Sequence, residues 1–172
     1  KADLHTQLQL ASPQRFMLVV TDGVFSMDGN VAPRDKIVEL PDKYNAMVMV
    51  DESHSARVVG RTGRGVTELY DLKGKIELIT GTLGKAFGGA IGGFTTGKKE
   101  IIELLRQRSR PYLFSNSIPP LVAAAGLKMI DLMTGTNELQ DRLHHNSQYF
   151  IEKMSALGFD IKPRTKKTIM AI

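Results

Sequence analysis

Ala46-Met47-Val48-Met49-Val50-Asp51-Glu52-Ser53-His54 decides how this chain is read: an unbroken apolar run closes on two carboxylates, a serine and a histidine. A short run without polar alternation fits a strand covered on both faces, as in parallel sheets. Similar runs at residues 16–21, 76–80 and 90–95 also read as strands, each flanked by amphipathic or mixed segments. That alternation predicts an α/β fold with a mostly parallel, doubly wound sheet covered by helices. In such sheets ligands bind beyond the carboxyl ends of the strands. The polar residues after the apolar runs are therefore the candidates: Ser26, Asp51, His54 and Lys85.

Further along, residues 98–108 read as a helix with Ile101, Ile102, Leu104 and Leu105 on its inner side, ended by the Arg110-Pro111 step. Residues 121–133 are apolar nearly all round, which predicts a buried helix. Thr134-Gly135-Thr136-Asn137 then breaks the chain. Leu139, Leu143, Phe150, Met154 and Leu157 follow at helical spacing until Gly158 stops the run. This organisation predicts a large domain over residues 1–134 and the start of a smaller α+β domain over 135–172, both incomplete. Lys1 in the place of an initiator methionine, and an apolar stretch at 168–172 that reads as a strand just beginning, mark the chain as an expected piece of a longer polypeptide.

With 172 residues, 42% of them hydrophobic, the chain can bury a core, but composition alone points to no activity. The absence of cysteine excludes disulfides, thiolate metal sites and a cysteine nucleophile, and the four histidines have no metal-ligand spacing. No metal is expected. No apolar run is long enough to span a bilayer, so no membrane partner and an intracellular location are expected. The formal charge of +5 is scattered, apart from Arg106-Gln107-Arg108-Ser109-Arg110 and residues 162–167. Nucleic acid is therefore not the expected partner, whereas a modest positive balance suits ligands that carry phosphate.

Lys85 lies in Thr-Gly-Thr-Leu-Gly-Lys-Ala-Phe-Gly-Gly, flanked by Gly84 and by Gly88-Gly89. Glycines allow close approach of backbone to a ligand. Such a lysine is either a reachable amine that forms a Schiff base or a solvated loop residue. A nucleotide phosphate loop is not met, because Ala86 follows the lysine and only two residues separate Gly81 from Gly84. Asp51 ends an apolar strand, where a carboxylate calls for a cationic partner such as a protonated pyridine nitrogen; a capping role or a magnesium site with Glu52 are the alternatives. His54 is an ordinary loop histidine or, beside a cofactor, a hydrogen-bond partner that tunes its charge.

Thr-Asp-Gly-Val-Phe-Ser-Met-Asp-Gly, Val-Asp-Glu-Ser-His-Ser, Gly-Arg-Gly, Ile-Thr-Gly-Thr-Leu-Gly-Lys-Ala-Phe-Gly-Gly and Tyr-Leu-Phe-Ser-Asn-Ser-Ile-Pro-Pro, in this order, resemble the α-oxoamine synthases. The resemblance implies a fold-type-I pyridoxal-phosphate transferase and covers the chain from about Arg15 onward. It implies that Lys85 carries pyridoxal 5'-phosphate as a Schiff base, that Asp51 pairs with the pyridine nitrogen and that Ser26 and His54 contact the phenolic oxygen. It further implies that Thr82 reaches the phosphate and that Ser115 and Asn116 reach the phosphate of a neighbouring subunit, so that a homodimer shares its active sites. The stretch at residues 106–117 is closest to the members that condense glycine with acetyl-CoA to 2-amino-3-ketobutyrate, the reverse being thiolytic cleavage in threonine breakdown. By the same resemblance the location is cytoplasmic, or the mitochondrial matrix in a eukaryote. Sister 5-aminolevulinate and 8-amino-7-oxononanoate synthases, or a non-catalytic homologous subunit, are the other readings. Two departures stand out: Arg57 occupies the glycine of the family pattern His-x-x-Gly, a position suited to positive φ, and Pro41 falls where relatives continue a helix.

Overall fold

The computed structural model describes residues 2–88, 91–159 and 161. Gly89, the first residue of the strand expected at 90–95, the basic residues 162–167 and the strand expected at 168–172 lie outside the described residues. A helix α1 (Ala2–Ala11) precedes the first strand. The apolar runs form β1 (Leu18–Asp22), β4 (Met47–Asp51), β5 (Leu78–Thr82) and β6 (Gly93–Gly97), joined in the order β1-β4-β5-β6. Between β1 and β4 the chain makes a small hairpin of β2 (Val24–Phe25) and β3 (Asn30–Val31), then a π-helical turn (Asp35–Glu39) and a short α2 (Leu40–Lys43).

β1 and β5 both pair in parallel with β4, and β6 runs antiparallel to β5. The sheet is thus mostly parallel, as expected, with one reversed edge strand. Asp22, Asp51 and Thr82 end their strands on one edge, and the antiparallel register Thr82↔Gly93 brings the β5 to β6 connection, which contains Lys85, to that same edge.

The core lies on one face of the sheet, where Val48 and Val50 meet Val24, Ile37, Val59, Val66 and Leu72. Strand alternation turns Met47, Met49 and Asp51 to the opposite face, which the described residues cover only in part. α3 (Val66–Leu69) closes the core, and the buried Glu52 fixes its position. The Glu52 carboxylate accepts bonds from Ser55 Oγ, Val66 N (3.1 Å), Thr67 N (3.0 Å) and Thr67 Oγ1 (2.8 Å). Its partners account for this acid as a fastener of the loop after β4, unlike the adjacent Asp51. Glu52→Ala would leave several buried donors without acceptors, so urea unfolding should show a loss of about 3 kcal/mol.

Pro41 is buried in the first turn of α2, directly after the π-helical turn, and its carbonyl accepts from Tyr44 N and Ala46 N. The residues before it are already helical, so Pro41 continues the helical run through the π-helical turn rather than opening a new one. Arg57 has φ 67°, the left-handed conformation for which glycine is suited. An arginine there costs about 1 kcal/mol relative to glycine.

Four expectations are corrected. α4 (Lys99–Arg108) forms as read, but Leu104 is 60% exposed and does not share the half-buried side with Ile101, Ile102 and Leu105. The Arg110-Pro111 step does not end α4, which stops at Ser109; Pro111 instead occupies the first turn of α5 (Arg110–Phe114). α6 (Pro120–Gly135) was expected to be buried, yet only Val122 and Gly126 are, while Leu121, Leu127, Ile130 and Leu132 are exposed. An all-apolar helix needs neighbours on every side, and the described residues supply them on one. α7 (Glu138–Ala156) turns Gln140, Leu143, Ser147, Ile151 and Met154 inward, whereas Leu139, Phe150 and Leu157 face out. Gly158, at φ 86°, ends that helix as expected.

Candidate active site

The carboxyl edge of the sheet gathers Asp51, His54 and Lys85. Lys85 Nζ lies 2.7 Å from His54 Nε2, joining the β5 to β6 loop to the loop after β4 across 31 positions of sequence. Asp51 is half-buried at the end of β4. Its Oδ2 accepts from Thr80 Oγ1 at 2.7 Å and its Oδ1 from Ser53 N at 2.9 Å. Burial pulls the Asp51 pKa upward, but the bonds from Thr80 and Ser53 and the charge of Lys85 outweigh it, and the net shift is below the ordinary aspartate value. The carboxylate is therefore held as an anion.

Thr80 was not among the sequence candidates. Its signal is the parallel register Asp51↔Thr80, which puts the hydroxyl beside the carboxylate on a neighbouring strand. The pairing partner of an apolar strand is not written in either strand's residues, so only the fold exposes it.

The loop that carries Lys85 is pinned at both ends. Leu83 N donates to the Gly92 carbonyl at 2.9 Å and Gly88 N to the Lys85 carbonyl at 2.9 Å. Thr82 Oγ1 donates to the Gly92 carbonyl and accepts from Gly84 N, each at 3.1 Å. Phe87 packs edge-on against Phe94 with ring centroids 5.8 Å apart, and Gly81 makes room for the Phe94 ring where any Cβ would collide. Gly88 takes φ 66°, which closes the turn after the lysine. The glycines around Lys85 thus shape the loop, while the lysine itself stays exposed.

Ser26 sits in the β2 to β3 turn, exposed; no hydrogen bond among the described residues joins it to Asp51, His54 or Lys85. The hairpin base is nevertheless tied to this edge, since Gly23 N donates to the Asp51 carbonyl at 2.7 Å. Ser115 and Asn116 follow α5, exposed, with Ser115 Oγ donating to the Pro111 carbonyl. Neither takes part in the Lys85 cluster of this chain. No group of three or more histidine, aspartate and glutamate side chains among the described residues is placed to hold a metal.

An exposed amine held near an imidazole, with an anionic carboxylate on the same sheet edge, is an arrangement that could hold a carbonyl cofactor carrying a ring cation. The family described as aminotransferase class I and II matches residues 1–170. The chain belongs to that family. Within it, the chain is 53% identical over 147 residues to 2-amino-3-ketobutyrate coenzyme A ligase of Escherichia coli K12, covering 86% of this chain and 37% of that protein. The human mitochondrial 2-amino-3-ketobutyrate coenzyme A ligase is 48% identical over 160 residues, covering 93% and 38%. The 8-amino-7-oxononanoate synthase of Thermosipho melanesiensis is also 48% identical, over 158 residues, covering 92% and 40%. Among solved structures, a serine palmitoyltransferase variant from S. paucimobilis with a bound PLP-myriocin aldimine superposes with TM-score 0.86 at 34% identity, covering 99% of this chain and 43% of that one. These relatives bear out the resemblance to α-oxoamine synthases and the fold-type-I architecture. The chain spans about two fifths of their length.

Proposed function

We propose that this chain is the cofactor-anchoring part of a pyridoxal-phosphate-dependent acyltransferase that condenses glycine with acetyl-CoA to 2-amino-3-ketobutyrate. The observation that carries this reading is the joining of Lys85 to His54 beside an Asp51 held ionised. The residues fit the cofactor: Lys85 Nζ for its carbonyl carbon, Asp51 for its ring nitrogen, and His54 with Ser26 for its phenolic oxygen. Thr82 and, from a neighbouring subunit, Ser115 and Asn116 complete the phosphate site. When bound, the cofactor supplies an electron sink that stabilises a carbanion beside the amino group of glycine.

Asp51, whose own affinity for protons is depressed by Thr80 and Ser53, would leave a proton on the cofactor's ring nitrogen. Lys85 Nζ would be placed to take the glycine α-proton, with His54 Nε2 orienting its amine by hydrogen bonding. The same reading places a domain boundary between residues 134 and 135, at the last residue of α6. It also places the protein in the bacterial cytoplasm or the mitochondrial matrix; among the described residues no helix is long and apolar enough to cross a membrane.

The identity to 8-amino-7-oxononanoate synthase supports a second reading, with a different acyl donor and amino acid. A screen of the full-length protein with several amino acids and acyl-CoA thioesters separates the two. Turnover of glycine with acetyl-CoA above all other pairs supports the proposal, and preference for another pair overturns it.

The shared-site arrangement predicts complementation. Full-length Lys85→Ala subunits mixed with subunits carrying Ser115→Asp and Asn116→Asp place both lesions in one site of the heterodimer and leave the other intact. Activity should return to about half the parental value per heterodimer if the sites are independent. No recovery beyond the second variant's own activity contradicts sharing.

A further inference from the structure

Arg57 has no role in the chemistry above, yet it is 8% exposed, and among the described residues its guanidinium makes one hydrogen bond, from Nη1 to the Thr62 carbonyl at 3.1 Å. A guanidinium has five N–H donors. The ion pairs of the described residues, Lys98 with Glu77 and Lys99 with Glu103, do not involve it. Burial lowers its pKa without any carboxylate to offset the loss of water. The side chain lines a cavity of about 350 Å³ together with Ala86, Met129, Gln140, Arg142 and Asn146, and no acidic residue contributes to that lining.

Gln140 is 2% exposed, and its Nε2 donates to the Val58 carbonyl at 3.1 Å, which holds α7 against the loop containing Arg57. Arg142 and Asn146 stand one turn apart on α7, so both reach the same side of the cavity. The volume suits a small molecule rather than a lone water. The lining thus combines Arg57, Arg142 and Asn146 with no acidic side chain, beside the apolar Leu139 and Leu143, while the Gln140 amide nitrogen is committed to the Val58 carbonyl.

We propose that this cavity is an anion site that takes the carboxylate or phosphate group of a small molecule, with Arg57 as its buried cation and Arg142 and Asn146 at its mouth. A planar guanidinium grips either oxyanion through paired N–H donors. Ala86, the residue after Lys85, lines the cavity, whereas Lys85 itself does not. The site stands on its own residues and does not depend on the function proposed above.

The test is calorimetric titration of the full-length protein, supplied with pyridoxal phosphate, with inorganic phosphate and separately with succinate. Saturable binding of at least one is expected, weakened at least tenfold by Arg57→Gly, severalfold by Arg142→Gln, and by added chloride. Binding of phosphate alone identifies a phosphate ligand; binding of succinate alone identifies a carboxylate. Arg57→Gly suits the backbone at φ 67°; should it fail to fold, Arg142→Gln on the exposed side of α7 decides the matter. No binding of either anion, or equal affinity in parent and variants, overturns the proposal. The visible absorbance of the same samples reports cofactor occupancy, so failure of the cofactor assignment is read separately.

Discussion

Lys85→Ala in the full-length protein is expected to remove the visible cofactor absorbance and to lower turnover by about 10³-fold or more, with the fold unchanged. The argument is geometric. Lys85 is exposed in a loop fixed by Gly92, Gly88 and the Phe87–Phe94 contact, and none of those fastenings uses its side chain. Its amine meets His54 at 2.7 Å and belongs to none of the ion pairs of the described residues. Removing it therefore removes chemistry and little stability, so denaturation curves of variant and parent should coincide. A variant with near-parental turnover would mean the lysine is a solvated loop residue.

Asp51→Asn is expected to lower the rate by about 10²-fold while cofactor occupancy falls far less. Asparagine still accepts from Thr80 or Ser53 through its carbonyl oxygen, but it has no charge to keep a proton on a ring nitrogen. The depressed pKa sharpens the expectation. Because the folded value lies below the ordinary aspartate value, ionised Asp51 contributes stability above the unfolded pKa, and that contribution is lost as pH falls through the folded one. Near neutral pH the carboxylate is thus fully ionised, and the pH profile of turnover should carry no limb from Asp51. Equal rates in variant and parent would remove the electron-sink role.

Much of this site could be read from residues alone, because Asp51, His54 and Lys85 each lie within five residues of the end of an apolar run, and apolar runs of that length are strands. The four strands form within three residues of where the apolar runs place them. What the residues do not carry is direction: Gly93-Phe94-Thr95-Thr96-Gly97 reads the same in either sense, and only the register with β5 makes it antiparallel. Thr80 escaped notice for the same reason. α1 carries Leu4 and Leu8 one turn apart in an otherwise polar stretch, an apolar stripe too faint to mark a helix by spacing alone. The inner face of α7 is set by Gln140 and Ser147, polar residues that hydrophobic spacing ignores. α6 is the converse case: its apolar residues state that it needs cover, and not where the cover comes from.

The role of Arg57 divides along the same line. Its left-handed backbone was foreseeable from the glycine it replaces, whereas its burial beside α7 depends on contacts between distant segments.

The most direct test of the central claim is borohydride reduction of the full-length protein in the presence of pyridoxal phosphate, followed by peptide mapping by mass spectrometry. A single pyridoxyl group on the peptide containing Lys85, absent from Lys85→Ala, is the predicted result. Reduction that labels other lysines, or none, while Lys85 stays unmodified would contradict it.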